Sequence, residues 1–177
     1  YQGHKILPYC PRCETALSSH EVAQGYKDVE GPSVYVALDL EAPHGGAEAA
    51  SVRRRVLVWT TTPWTLVSNT ALAVNPSLDY VELRKKGRDP QAAGAWTVIL
   101  AAARGDALAG MRYRRPLDWV AFPEPGSAGG GAHGVIVAEE FVSADDGSGV
   151  VHMAPAFGED DYAAGRRHGL AFVQPVD

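Results

Sequence analysis

Cysteine is almost absent from this sequence. Only two occur among 177 residues, in Cys10-Pro11-Arg12-Cys13. One such pair supplies no disulfide framework and suits a reducing, intracellular setting; a cytoplasmic location is expected. Long apolar runs are missing too. Nothing approaches the roughly 20 residues that cross a bilayer, and no secretory signal opens the chain, so no membrane partner is expected. Basic excess is also lacking, with sixteen Lys and Arg against twenty-one Asp and Glu, a net charge of −5. Tight autonomous nucleic-acid binding usually shows as a basic face. If a nucleic acid is the partner, most of the affinity must come from protein outside this chain. The first residue is Tyr1 rather than methionine, and the chain reads as an excised piece of a longer protein, expected to be monomeric.

Several catalytic signatures are absent as well. No HExxH pair occurs among the six histidines. Ser148, between Gly147 and Gly149, lacks the spacing and strand–turn–helix setting of a nucleophile elbow. A threonine hydrolase needs a free N-terminal amine as base, whereas Thr60 to Thr62 are internal. Gly129, Gly131 and Gly134 spell a GxGxxG, but a proline-rich loop precedes it and Val135-Ile136-Val137 follows. It is therefore no dinucleotide fingerprint.

What is present reads as one β-rich domain, large enough to bury a core. Strands are predicted over 33–40, 55–59, 70–74, 78–83, 96–101, 117–122, 134–142, 149–154 and 170–173, from alternation or short apolar runs. Ser18 to Glu21 fits a capping box, with Gly25 closing a short helix. An alanine-rich piece up to Gly110 is a second helical candidate. The clearest helix spans Gly158 to Gly169, with three acids in its first turn, Arg166, Arg167 and His168 in its last, and a glycine stop. Residues 42–51, 85–94 and 123–134 read as loops. Arg53 to Arg55 reads as the solvated start of a strand. The pattern is α+β, an antiparallel or mixed β-barrel core with peripheral short helices.

Residues 1–15 form a knuckle segment ahead of the domain proper at 16–177. Two thiolates on one tight turn are half of a tetrahedral zinc site. No second CxxC follows, so zinc enters only if ligands outside this chain complete Cys10 and Cys13. In the isolated chain they read as free thiols. A redox role is disfavoured by the lack of a βαβ pattern around them.

The chain is organised around Trp59-Thr60-Thr61-Thr62-Pro63-Trp64-Thr65-Leu66. Pro63 suits the first position of a helical turn, which Thr62 can cap with its hydroxyl. A strand ending in three hydroxyls and unpaired backbone N–H groups suits a carboxylate, phosphate or ester carbonyl. A polar strand end closed by an ST-turn is the plain alternative. Downstream lies Gly149-Val150-Val151-His152-Met153-Ala154-Pro155-Ala156-Phe157-Gly158-Glu159-Asp160-Asp161.

These two segments, in this order, closely resemble the two signatures of the editing domain of the isoleucyl-tRNA synthetases, within the class I aminoacyl-tRNA synthetases. The valyl and leucyl enzymes carry Arg-Pro in the region of Thr62-Pro63. Val67 departs from the proline often found there. The core signatures of the synthetases, HIGH-type and KMSKS-type, are absent, so no amino-acid activation is expected. The resemblance implies hydrolysis of valine misattached to tRNA(Ile), or of valyl-adenylate, without a cofactor and beside the catalytic body of a full-length, ATP-binding ligase. For this family the isoleucine/valine problem is the standing example of a general limit: one methylene is worth only about 1–3 kcal/mol in a pocket. The resemblance further implies that Thr60, Thr61 and Thr62 hold the terminal adenosine, the ester and the attacking water. His152 would line the amino-acid pocket, against the plain alternative of a structural histidine. Asp161, nine residues on, would anchor the α-ammonium. For Glu159 and Asp160 dipole complementation suffices. Trp64 is either pocket wall or core anchor. A non-catalytic docking or structural insertion with the same fold is the alternative function.

Overall fold

Ten strands and two α-helices lie among the described residues of a computed structural model, namely 6–41, 53–84, 96–120, 133–145 and 147–175. The three loops expected over 42–51, 85–94 and 123–134 fall outside them, apart from His133 and Gly134, which are strand rather than loop. β1 (Tyr9–Cys10) and β2 (Thr15–Ala16) pair as a separate antiparallel hairpin bearing the CxxC turn. α1 (Ser19–Gln24) has its full capping box, in which Ser18 and Glu21 exchange bonds, and Gly25 ends it.

The remaining strands form one mixed sheet. They are β3 (Val34–Asp39), β4 (Arg53–Thr60), β5 (Ala71–Val74), β6 (Asp79–Arg84), β7 (Trp96–Arg104), β8 (Arg112–Arg114), β9 (His133–Ala138) and β10 (Val150–Met153). From β4 the ladder runs to β10, β5, β9 and β8. On its other edge β4 pairs antiparallel with β3, in register Val34↔Thr60 to Asp39↔Arg55. The far end of β3 returns to β8 through the Leu40↔Tyr113 bridge and Glu41 N–H→Arg112 O at 2.8 Å. The sheet thus curls into a small barrel, as the many short strands and few helices predicted, while β6 and β7 extend from the first half of β4.

Packing follows the alternation. Leu38, Val56, Val58, Leu72, Val74, Tyr113, Ile136 and Val150 fill the interior, each aliphatic contributing about 1.5–3 kcal/mol on full burial. Ala71, Ala73, Val137 and Met153 meet Ala164 and Leu170 in a second cluster, which includes α2 (Glu159–His168). β5 is buried along its whole length. Its small side chains lie in the cluster that includes α2 and its large ones in the barrel core, so a continuous apolar run is what this position requires. Gly169 adopts the left-handed conformation at φ 63° that ends α2. Arg167 and His168 then clamp the buried Glu139 at 2.6 and 2.8 Å, pinning the helix end to β9.

Four local expectations need correction. The alanine-rich piece is the end of β7, and helical geometry is limited to a 3-10 turn at Gly105–Ala107. β8 at Arg112–Arg114 replaces the strand expected over 117–122, whose described part, 117–120, is turn and bend. Leu170, Ala171 and Val173 are buried, but the segment is not a strand: it fills the space beside α2. Arg54 and Arg55 do not simply face solvent, since Arg54 pairs with Glu82 of β6, two strands away, at 3.8 Å and Arg55 with Asp39 of the neighbouring β3 at 2.8 Å.

Candidate functional site

The end of β4 and the end of β10 meet, because Trp59 pairs in parallel with Val151. This register brings the two motifs together around a cavity of about 440 Å³. Thr60, Thr61, Thr62, Trp64, His152 and Asp161 all line it, joined by Thr65, Phe157 and Gly158. That size suits an amino acid with part of its carrier.

The threonine corner is tighter than predicted. Pro63 opens a helical turn as expected, but the turn, Pro63–Ser68, is 3-10, and the Thr62 hydroxyl does not cap it. Instead Thr65 Oγ1 donates to the Thr62 carbonyl at 2.8 Å. The N–H of Thr62 is taken by Thr60 Oγ1 at 3.1 Å. The ST-turn therefore forms, and it uses one of the donors expected to be free. Thr60 is buried by it, while Thr61 and Thr62 stay exposed to the cavity. Trp64 is 65 % exposed at the cavity wall, which excludes the core-anchor alternative.

His152 is buried at the cavity floor with both ring nitrogens engaged. Nε2 lies 2.7 Å from Thr65 Oγ1 and Nδ1 lies 3.2 Å from Asn69 Nδ2. Burial holds its pKa down to about 4, from 6.5, so the ring is neutral at pH 7. A neutral imidazole without a free lone pair is a wall, not a base. A depressed folded-state pKa stabilises the fold above the unfolded value and loses that contribution as pH falls through the folded one. Stability should therefore drop by about 3 kcal/mol more in the parent chain than in His152→Gln between pH 6.5 and 4. Urea melts across that range check this, and parallel slopes for the two chains would refute it.

Asp161, in the first turn of α2, accepts a bond from Ala154 N–H at 2.9 Å through Oδ2. Its other oxygen has no partner among the described residues. Burial raises its pKa, opposed by the Ala154 N–H and reinforced by Asp160. A desolvated carboxylate with one free oxygen is suited to a cation. Glu159 and Asp160 are exposed at the same helix end.

Thr65, Asn69 and Tyr113 were not singled out from the sequence as site residues. Thr65 lay inside the quoted motif and could have been found by its three-residue spacing from Thr62. Asn69 and Tyr113, 44 residues apart and 2.6 Å in contact, carry no local signal.

Cys10 and Cys13 do not line this cavity. The backbone N–H groups of Cys13 and then Arg12 hold the Cys10 thiol below its ordinary pKa, as suits a ligand pair, whereas the hydrogen bond with Cys10 raises Cys13. Among the described residues no third His, Cys, Asp or Glu joins them in a metal-binding group, nor is any helix long and apolar enough to cross a membrane.

No protein-family model matches the chain. The isoleucine–tRNA ligase of Thermobifida fusca is 44% identical over 184 residues, covering 99% of this chain and 16% of that protein. That of Streptomyces coelicolor is 45% identical with the same coverage, and that of Thermus thermophilus is 41% identical over 100% of this chain and 17% of its own length. Among solved structures, GlLeuRS-CP1 superposes with a TM-score of 0.53 at 17% identity, covering 75% of this chain and 59% of that one. The editing domain of the P. knowlesi cytosolic leucyl-tRNA synthetase gives 0.53 at 12% identity, covering 78% and 65%. These two show the fold. Matched end to end at 41–45% identity, the chain belongs with the isoleucine–tRNA ligases, as the counterpart of the 16–17% of their length that carries an editing-domain fold.

Proposed function

We propose that this domain hydrolyses valine esterified to tRNA(Ile), and the valyl-adenylate, by attack of water on the aminoacyl carbonyl. The observation that carries the proposal is the convergence of two distant motifs on one cavity. Hydroxyls of Thr60, Thr61 and Thr62 line one side of it and the Asp161 carboxylate another. In this reading Asp161 binds the α-ammonium through its free oxygen. Thr61 and Thr62 hold the ester end and the water, with Trp64 as the exposed wall. His152, fixed and neutral, limits the side-chain pocket so that valine fits and isoleucine does not. No cofactor enters the step. The tRNA acceptor end and the catalytic body of a longer, cytoplasmic ligase are the proposed partners, with the body supplying most of the tRNA affinity.

Deacylation of valyl- and isoleucyl-tRNA by the 177-residue chain tests this. Valyl-tRNA should be cleared roughly 10–200-fold faster, the range that one methylene allows. Thr61→Ala and Thr62→Ala should each slow the reaction without loss of stability, since both side chains are exposed. A folded chain that clears neither ester would instead be a structural or docking insertion.

A further inference from the structure

The polar contacts at the floor of the cavity all run in one direction, and that direction is set from outside it. Carbonyl oxygens only accept, which fixes both ends. Ala71 O lies 3.0 Å from one terminal atom of the Asn69 amide, so that atom is the nitrogen. Oδ1 then faces the Tyr113 hydroxyl at 2.6 Å, which must donate. The second amide hydrogen goes to His152 Nδ1, which therefore carries a lone pair, and the ring proton is on Nε2. Nε2–H donates to Thr65 Oγ1, whose own proton goes to the Thr62 carbonyl.

We infer that Tyr113 is a positioning residue of this site: its hydroxyl locks the Asn69 amide and, through it, the Nε2–H tautomer of His152 and the orientation of Thr65 at the threonine corner. Tyr113 is built for this task. It is fully buried, and its ring fills the space where a side chain at position 134 would begin. Arg115, two residues on, holds the Asn69 carbonyl at 2.7 Å, so one segment grips Asn69 at backbone and side chain together. Tyr113 is also the only donor to Asn69 Oδ1 among the described residues. Without that donor only the Ala71 carbonyl still opposes a turn of the amide that would offer its oxygen to Nδ1. In the turned form the ring would carry its proton on Nδ1 and Thr65 would donate to Nε2, leaving the Thr62 carbonyl with the Thr65 N–H alone.

The test is Tyr113→Phe in the 177-residue chain with ¹⁵N-labelled histidine. Ring-nitrogen spectra report the tautomer directly. The parent His152 should be almost wholly Nε2–H, and Tyr113→Phe should show a mixture with Nδ1–H. The second readout rests on the hydrolytic reading above: kcat for valyl-tRNA should fall about fivefold or more, with KM little changed. Tyr80→Phe is the control, since its equally buried hydroxyl serves Asn75 N–H and Gly149 O instead. It should move neither readout. An unchanged tautomer in Tyr113→Phe, or the same change in Tyr80→Phe, overturns the inference. A shifted tautomer in a chain whose parent hydrolyses nothing upholds the positioning and refutes the hydrolytic reading. Should Tyr113→Phe fail to fold, 3-fluorotyrosine placed at position 113 keeps the shape and alters the hydroxyl's acidity. The His152 nitrogen shifts must then move, and their constancy would overturn the inference equally.

Discussion

Asp161→Asn should slow hydrolysis of valyl-tRNA at least tenfold while leaving the melting temperature close to that of the parent chain. The asparagine oxygen can still accept from Ala154 N–H, so the tie between α2 and β10 survives. What disappears is the charge offered to the substrate ammonium. A hydrogen bond to a charged group is worth about 1.5–3 kcal/mol, and 1.4 kcal/mol is a factor of ten. Asp161→Ala should lose activity and stability together, because Ala154 is buried and its N–H would be orphaned at a cost of about 1–3 kcal/mol. From the sequence alone the same carboxylate looks like a helix-end charge worth about 0.3–1 kcal/mol; the bond to Ala154 is what changes that view. Asp160→Asn, exposed in the same turn, should leave hydrolysis intact. Equal activity losses at 160 and 161 would reduce Asp161 to a helix-start residue. Acid should have the same effect as the amide. Because the pKa of Asp161 is raised, the anchor loses its charge at a higher pH than an ordinary aspartate, and activity should begin to fall there.

Gly134→Ala should be among the most destabilising single-methyl changes in the domain. A Cβ at this position would stand 2.2 Å from Cζ and 2.3 Å from the hydroxyl of Tyr113. That ring is fully buried between β8 and β9 and has no solvent to retreat into. Overpacking of this kind costs about 1–3 kcal/mol and occasionally more. Gly25→Ala, where the nearest atom lies at 3.6 Å and the backbone is right-handed, should be nearly neutral. Chemical denaturation of the two variants beside the parent measures the difference. Coincident transitions for Gly134→Ala and the parent would mean that the β8–β9 seam yields freely.

Gly134 also shows where reading the sequence succeeds and where it stops. At the end of its GxGxxG the chain enters β9 rather than a helix, as expected of a motif that is no dinucleotide fingerprint, but nothing nearby announces a tyrosine ring 21 residues earlier in the chain. Strands such as β4 and β5 were legible because their apolar runs face a core on one or both sides. Ala101 to Ala103 were not, since alanine favours helix intrinsically and only pairing with β6 makes them strand. Arg112–Arg114 is three residues long with one buried side chain, too little for a period to register. The same limit applies to the site. Thr60 to Thr62, His152 and Asp161 could be proposed from motifs, whereas Asn69 and Tyr113 are defined only by partners distant in sequence. The 3-10 turn at Pro63 and the resulting role of Thr65 depend on where the His152 ring lies.

The closure of the barrel has a consequence for the order of folding. The contacts that bring the two motifs of the cavity together join segments far apart in the chain: His152 reaches back 87 residues to Thr65 and 83 to Asn69. The parallel pairs β4–β10 and β5–β9 likewise cannot form by a tight turn. Loop-closure entropy must be overcome before any of these contacts is rewarded, which makes such a topology slow to assemble. The pocket is thus among the last things the chain acquires. A partly folded domain, with its hairpins made but the ring open, would bring the threonine corner, His152 and Asp161 to no common cavity.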